Sequence, residues 1–210
     1  FETKQGSVLY IDEENGLRRM KDKLGKLLNY KSLPAKDLPI HVLSSEGIHL
    51  GRGSIEKLVA LLEALKPKVV IIDSLIRVHG GDENSSRDMA KVFSLVKQLI
   101  NHFGCLFFFA DHHRKPGPFQ SAGDIMLRGS SEKSAFVDIL ISLQVRKNKL
   151  VVENPKNRDA ERRHPFCIEI IVVDKNCLGV KYVGEAEELE EEVQFDRITG
   201  FLTQVLSDGE

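Results

Sequence analysis

Four short, unbroken apolar runs lie within the first 110 residues, with amphipathic segments between them. The runs occupy residues 7–12, 40–43, 69–73 and 106–110. Because they are continuous rather than alternating, they predict strands that are buried on both faces. Helices are expected at residues 16–30, 54–65 and 86–103, where apolar side chains recur at helical spacing. This order predicts an α/β fold, with a mainly parallel sheet, helices on both faces and right-handed crossovers.

The chain changes character after residue 110. Residues 111–131 are rich in Gly, Pro, Ser and basic side chains and predict a long loop. Two hairpins are then expected, at residues 139–153 and 168–183, so that antiparallel strands extend the parallel core. An acidic linker at 184–194 and an amphipathic C-terminal helix at 195–210, which could begin another module, complete the expected organisation.

The composition limits the classes of protein to consider. With 210 residues, of which 41% are hydrophobic and 29% charged, the chain has the balance of a globular protein. Its net charge of −1 excludes a globally basic nucleic-acid coat but allows local basic patches. No apolar run approaches the roughly 20 residues that cross a bilayer, so no membrane association is expected. Three cysteines without a C-x-x-C pair argue against disulfides and zinc and favour a reducing, cytoplasmic location.

A carboxylate ends the third apolar run, in the segment Lys68 to Ser74. A buried strand that ends in Asp73 would hold this carboxylate rigidly at the C-terminal edge of the sheet, where open α/β folds bind ligands. P-loop ATPases organise Mg²⁺ with an aspartate placed in this way. The alternative is an aspartate that is solvated or that caps a helix.

Three acids also follow the first run, in the segment Asp12-Glu13-Glu14-Asn15-Gly16. One of these carboxylates could orient and activate water for attack on a γ-phosphate. Crowding of three acids is expected to raise the pKa of at least one of them, which suits a base. The alternative is an acidic helix N-terminus, favoured by the dipole of the helix that follows.

Two histidines and two cations follow the fourth run, in the segment Asp111-His112-His113-Arg114-Lys115. A histidine at this edge could hydrogen-bond a terminal phosphate and pass its presence to the loop that follows. The alternatives are a His-His metal site and a simple surface pair. Successive side chains of a strand point to opposite faces, which makes adjacent histidines poor bidentate metal ligands.

The order of these motifs resembles the RecA-like hexameric replicative helicase family, of the plasmid RepA type and more distantly DnaB. The resemblance covers residues 6–183, and its specific parts are Val-Leu-Tyr-x-x-x-Glu and His-His-Arg-Lys followed by Arg-Gly-Ser-Ser. It implies a RecA-like P-loop NTPase core over residues 1–183 and an ATP-hydrolysing, ring-forming motor on single-stranded DNA. Alternatives within the fold are a non-hydrolysing regulatory or scaffold protein of DNA replication or repair, and a recombinase-type DNA-dependent ATPase that does not unwind.

The resemblance also implies roles for individual side chains. Glu14 would activate water, with Glu13 as the alternative base. Asp73 would organise Mg²⁺. His113, or otherwise His112, would sense the γ-phosphate. ATP with its Mg²⁺ would also contact Asn15, Ser74 and His112.

Two further sets of residues carry implied roles in a homo-oligomeric ring. Lys156 and Arg158, in a Lys-x-Arg motif, would reach into the nucleotide site of the neighbouring subunit, because arginine pairs bidentately with phosphate and stays charged. An exposed basic hairpin is the alternative for this pair. Residues 79–86 and 114–128 would line the central channel, where cations contact phosphates and an aromatic ring stacks on a base. The proposed DNA contacts are Arg114, Lys115, Phe119 and Arg128; a plain mobile loop is the alternative.

One motif of that family has no match in this sequence. Family members carry G-x-x-x-x-G-K-[S/T] ahead of the first run, and these 210 residues contain no such motif. The stretch from Gly47 to Ser54 lacks Gly-Lys-Ser/Thr, and we interpret it as a Gly-rich turn ending in a helix cap. Because the chain begins with Phe1 rather than Met, we expect a P-loop upstream of it, or else a family member that has lost the motif. In either case these residues alone are expected to bind ATP poorly.

Overall fold

The computed structural model describes residues 4–51, 55–112, 132–146 and 149–186. The chain divides into two compact units, Phe1–Val137 and Asp138–Glu210, each of which is described by itself. Most of the expected loop at 111–131 and the expected C-terminal helix lie outside the described residues. Within the described ranges, no helix is long and apolar enough to cross a membrane.

A four-stranded parallel sheet forms the centre of the first unit, which confirms the predicted α/β organisation. Its strands are β1 (Val8–Asp12), β2 (Ile40–Ser44), β3 (Val69–Asp73) and β4 (Leu106–Ala110), in the order β2-β1-β3-β4. The helices are α1 (Leu17–Lys31), α2 (Ile55–Leu65), α3 (Leu75–Val78), α4 (Ser86–Phe103) and α5 (Glu132–Phe136), with a 3₁₀ turn at Ala35–Asp37. The sequence did not predict α3, because four residues are too few to show a helical period.

The core of the first unit lies between this sheet and its helices. It contains Leu9, Ile11, Val70 and Ile72 of the two central strands, with Leu58 and Leu62 of α2 and Met89 and Val96 of α4. Burial of each of these side chains contributes about 1.5–3 kcal/mol. The prediction of burial on both faces fails on β4, where Leu106 and Phe108 are 59% and 46% exposed. Phe107 and Phe109 pack against the core, whereas Leu106 and Phe108 point to the opposite face of the strand.

The parallel register brings the ends of three strands level with one another. Asp12 lies opposite Asp73, and Asp73 lies opposite Ala110. The segments that follow β1, β3 and β4 therefore leave the sheet from the same edge. These segments contain Glu14, Ser74 and His112.

Helix α4 has a clear beginning and end. The Ser85 side chain accepts a hydrogen bond from the backbone N–H of Asp88, at 3.3 Å, and so caps the N-terminus. Gly104 adopts a left-handed conformation, with φ of 61°, and its N–H binds the Ile100 carbonyl at the C-terminus. The helix spans 18 residues and is the longest helix among the described residues.

The second unit is built on an antiparallel sheet. Its strands are β5 (Ile139–Arg146), β6 (Lys149–Asn157), β7 (Phe166–Asp174) and β8 (Cys177–Glu185), in sequence order. Both predicted hairpins are confirmed, with longer strands than expected. The expectation that these strands extend the parallel sheet is wrong among the described residues, where they form a separate sheet. Short connections let neighbouring antiparallel strands satisfy one another's backbone hydrogen bonds locally.

Candidate functional site

The carboxylate of Asp12 organises the turn after β1 from a fully buried position. Its Oδ1 accepts hydrogen bonds from the backbone N–H groups of Glu14 and Asn15, at 3.2 and 2.8 Å. Its Oδ2 accepts one from the Ser44 hydroxyl at 3.4 Å. Burial alone would raise the pKa of Asp12, but the backbone donors of Asn15 and Glu14 outweigh it and hold the pKa below its usual value. Asp12 therefore shapes the loop that carries Glu14.

Replacing Asp12 by alanine should destabilise the first unit by about 2–3 kcal/mol, because two backbone N–H groups lose a charged acceptor. Asp12→Asn keeps an acceptor oxygen and should cost much less. Urea unfolding at neutral pH measures both changes. Equal stability of the alanine variant and the wild type would contradict this role.

The pH dependence of the Asp12 contribution has a defined sign. The folded state lowers the pKa of this carboxyl, so the stabilisation is complete above the ordinary value of 3.8 and is lost as the pH falls through the lower folded value. The stability advantage of the wild type over Asp12→Asn should therefore shrink on acidification below about pH 4.

Asp73 lies at the end of β3, and two donors orient its side chain. Its Oδ2 accepts hydrogen bonds from the Tyr10 hydroxyl at 2.9 Å and from Asn15 Nδ2 at 3.3 Å. Burial and the neighbouring Asp73 and Asp12 carboxylates raise the pKa of Tyr10, so the phenol remains a donor. Both hydrogen bonds that the Asp73 side chain accepts from the described residues fall on Oδ2, which leaves Oδ1 for a ligand.

Glu14 projects from the same edge and contacts residues from two other strand ends. Its Oε2 accepts a hydrogen bond of 2.6 Å from the hydroxyl of Ser74, the residue next to Asp73. Its Oε1 lies 3.5 Å from Nε2 of His112. The Ser74 hydroxyl is the main reason that the pKa of Glu14 lies below its usual value; partial burial opposes this, and His112 and Arg77 add to it. Glu14 is thus an ionised carboxylate at neutral pH.

The expectation that crowding raises a carboxyl pKa is therefore wrong for Asp12 and Glu14. Each of these carboxylates faces hydrogen-bond donors, and the donors outweigh the effect of burial on the pKa. Glu13, the alternative base, turns elsewhere: its two oxygens accept hydrogen bonds from the backbone N–H groups of Gly47 and Ile48, at 3.3 and 3.0 Å. Neighbouring glutamates thus have different partners, one at the strand edge and one in the loop after β2.

The structure brings together one part of the predicted site. Glu14, Asn15, Asp73, Ser74 and His112 share the carboxyl edge of the first sheet. The remaining predicted residues of this region lie outside the described residues; they are His113, Arg114, Lys115, Phe119 and Arg128.

The predicted Lys-x-Arg pair lies in the second unit. Lys156 is on β6, opposite Leu140. The backbone N–H of Arg158 binds the Asp138 carbonyl at 3.0 Å, and the Arg158 guanidinium forms an ion pair with the Asp138 carboxylate. Both side chains of that ion pair are more than half exposed.

Sequence reasoning missed Tyr10 as a residue of the site. Tyr10 lies opposite Ile71, which places it diagonally across from Asp73 on the neighbouring strand. Tyr10 lies two residues before Asp12 and therefore shares its face of the sheet. Asp12 lies opposite Asp73, so this spacing was the available signal that Tyr10 belongs to the site. Tyr10 positions Asp73 through its hydroxyl.

The described residues suit binding of Mg²⁺ together with the phosphates of a nucleotide, rather than binding of the metal by protein side chains alone. Among them, no group of three or more His, Cys, Asp or Glu side chains is arranged to hold a metal ion. Magnesium is commonly bound through one or two carboxylates together with substrate phosphates and water, and Asp73 with its available Oδ1 fits that arrangement.

Comparison with known proteins assigns the first unit to a family. Over 106 residues the chain is 26% identical to the replicase large subunit of Potato mop-top virus (isolate Potato/Sweden/Sw). That stretch is 50% of this chain but only 6% of the length of the viral protein. Residues 1–118, more than half of the chain, match the model of a family described as an AAA domain. The chain therefore belongs to the AAA domain family.

Proposed function

We propose that this protein is a nucleotide-dependent ATPase associated with replication, and that the carboxyl edge of β1, β3 and β4 is part of its nucleotide site. One observation carries the proposal: Glu14 is held as a carboxylate by Ser74, the residue next to Asp73, with a hydrogen bond of 2.6 Å. The acid proposed to activate water and the acid proposed to organise the metal therefore lie at one edge.

The chemistry of this edge suits phosphoryl transfer to water. Glu14 is ionised and partly exposed, so it can orient a water molecule and accept its proton. His112, the alternative to His113 as the proposed phosphate sensor, lies beside that carboxylate. Mg²⁺ held by Asp73 would neutralise charge that develops on the phosphate oxygens. Tyr10 and Asn15 keep the Asp73 carboxylate in a fixed orientation.

Two findings support the wider part of the proposal. Membership of the AAA domain family supports nucleotide binding, and the viral relative is named a replicase. We extend this to a ring in which ATP is hydrolysed between subunits, with Lys156 and Arg158 on the neighbour's γ-phosphate. Single-stranded DNA would contact Arg114, Lys115, Phe119 and Arg128 in the channel. These finer parts rest on the resemblance to replicative helicases.

The Mg²⁺ role of Asp73 has a direct test. In the full-length protein, Asp73→Asn should lower Mg²⁺-dependent release of phosphate from ATP by about 100-fold, because the metal loses its anionic ligand. Asp22→Asn is the matched control, since Asp22 is an exposed acid on α1 paired with Lys26. Phosphate release with and without EDTA measures the effect. Unchanged Mg²⁺-dependent turnover in Asp73→Asn would reject this metal role.

A second candidate function is a scaffold that keeps the fold without hydrolysing ATP. The observation in its favour is that these 210 residues contain no Gly-Lys-Ser/Thr motif. Absence of phosphate release by the full-length wild-type protein, with or without single-stranded DNA, would favour the scaffold. DNA-stimulated hydrolysis without unwinding of a forked duplex would favour a recombinase-type ATPase instead.

A further inference from the structure

A buried ion cluster lies in the first unit, beside the residues of the candidate site. Lys133 Nζ is 2.7 Å from Asp111 Oδ2 and 3.4 Å from Glu83 Oε2. The side chains are 2%, 9% and 11% exposed, respectively. They come from α5, from the end of β4 and from the loop between α3 and α4.

A gain in folding stability does not by itself explain a buried ion cluster. Removing charges from water is costly, and buried ion pairs can often be replaced by well-packed apolar side chains without loss of stability. An arrangement of this kind therefore calls for an explanation in terms of what it holds in place.

Two of the three members are tied to the long helix α4. Lys133 lies on α5, whose Phe136 stacks on Phe93 of α4 with ring centroids 4.3 Å apart. Glu83 lies in a turn where the backbone N–H of Ser85, the N-cap of α4, binds the Asp82 carbonyl at 3.0 Å. Contacts with α4 thus hold the segments that carry Lys133 and Glu83.

The third member, Asp111, leads to the candidate site. Its Oδ1 accepts a hydrogen bond of 2.9 Å from the backbone N–H of His112, while its Oδ2 binds Lys133. The His112 ring in turn lies 3.5 Å from Glu14. A continuous series of contacts therefore joins α4, through Lys133 and Asp111, to the backbone that presents His112 to Glu14.

We propose that Lys133 is a positioning residue that fixes the exit of β4, so that the ring of His112 stays against the carboxylate of Glu14. Lys133 does not contact the reacting atoms; it acts through Asp111. The catalytic consequence rests on the proposed ATPase function, whereas the positioning itself does not.

The catalytic consequence is tested with Lys133→Met in the full-length protein. A misplaced His112–Glu14 pair should lower kcat for ATP hydrolysis by about tenfold with little change in KM, because the binding contacts remain while the alignment is lost. Lys97→Met is the matched control, since Lys97 is an exposed lysine on α4. A kcat within about twofold of the wild-type value in Lys133→Met would overturn the catalytic part of the proposal.

The positioning is tested without hydrolysis. With isotope-labelled histidine, Glu14→Gln should shift the ring NMR signals of His112, which His112→Gln identifies. In the Lys133→Met background that shift should become about threefold smaller or vanish, as expected when two sites lose their coupling. An undiminished shift in that background overturns the proposal, and so does the absence of any shift in the wild-type background.

A neutral variant separates positioning from folding. Lys133→Met removes the ammonium that contacts two buried carboxylates and could unfold the unit. The triple variant Lys133→Met, Asp111→Asn, Glu83→Gln removes all three charges, so its Tm should recover while the His112 shift stays reduced. Recovery of the full shift with the Tm would overturn the proposal. If the wild-type protein does not hydrolyse ATP but Lys133→Met still diminishes the His112 shift, the positioning is upheld and the ATPase function is rejected.

Discussion

Replacing Glu14 by glutamine should lower ATP turnover of the full-length protein by about 10³-fold while nucleotide binding persists. Glutamine keeps the size of the side chain and an oxygen that can accept the Ser74 hydrogen bond. It removes the negative charge that would take a proton from water. Phosphate release gives the turnover, and titration with a fluorescent ATP analogue gives the affinity. Turnover near the wild-type rate would show that Glu14 is not the base.

Glu13→Gln is the sharpest comparison, because it makes the same chemical change one residue away. Glu13 binds the N–H groups of Gly47 and Ile48 rather than Ser74. We expect this variant to keep turnover within about tenfold of the wild type and to lose some stability in the loop after β2. If Glu13→Gln abolishes turnover and Glu14→Gln does not, the assignment of the two glutamates is reversed.

The pH profile should agree with this assignment. Because Ser74 and His112 lower the pKa of Glu14, its carboxylate stays ionised down to the acid side of its ordinary value of 4.5. Protonation of Glu14 should therefore not limit kcat between about pH 5 and 8. In this range, any change of rate must come from another group.

Replacing Arg158 by alanine should lower ATP turnover by about 10³-fold or more, the usual effect of losing an arginine that stabilises charge on a transferring phosphoryl group. In the second unit the guanidinium forms an ion pair with Asp138. Because both side chains are more than half exposed, this pair contributes under about 1 kcal/mol. Breaking this ion pair, so that Arg158 can contact a neighbour's phosphate, therefore costs little free energy.

Mixing experiments separate action in trans from action within one subunit. If Arg158 serves the next subunit of a ring, adding Arg158→Ala subunits to wild type should reduce activity more than dilution predicts. Strictly proportional loss would contradict the trans role. Asp138→Asn is the matched control: it removes the ion-pair partner and keeps Arg158, so turnover should remain near the wild-type rate.

Local patterns in the sequence predict much of this fold. The unbroken runs locate β1 to β4, and helical spacing locates α1, α2 and α4, because burial imposes a period that neighbouring residues record. The strand-ending position of Asp73 and the acids after β1 also follow from local order. Separation of β5–β8 into their own sheet does not, since a strand pattern does not specify its partners.

The sequence alone determined that Glu14 and Asp73 leave a buried parallel sheet at the same edge, because parallel strands must end there together. The partners of those carboxylates depend on how the chain folds. Ser74 reaches Glu14 across 60 residues of sequence, and Tyr10 reaches Asp73 across 63. The Ser74 contact lies on Glu14 rather than Glu13, and it lowers the pKa of Glu14, whereas crowding was expected to raise the pKa of at least one of these acids. Strand position is set by neighbours in the chain, whereas the free energy of a charge is set by neighbours in space.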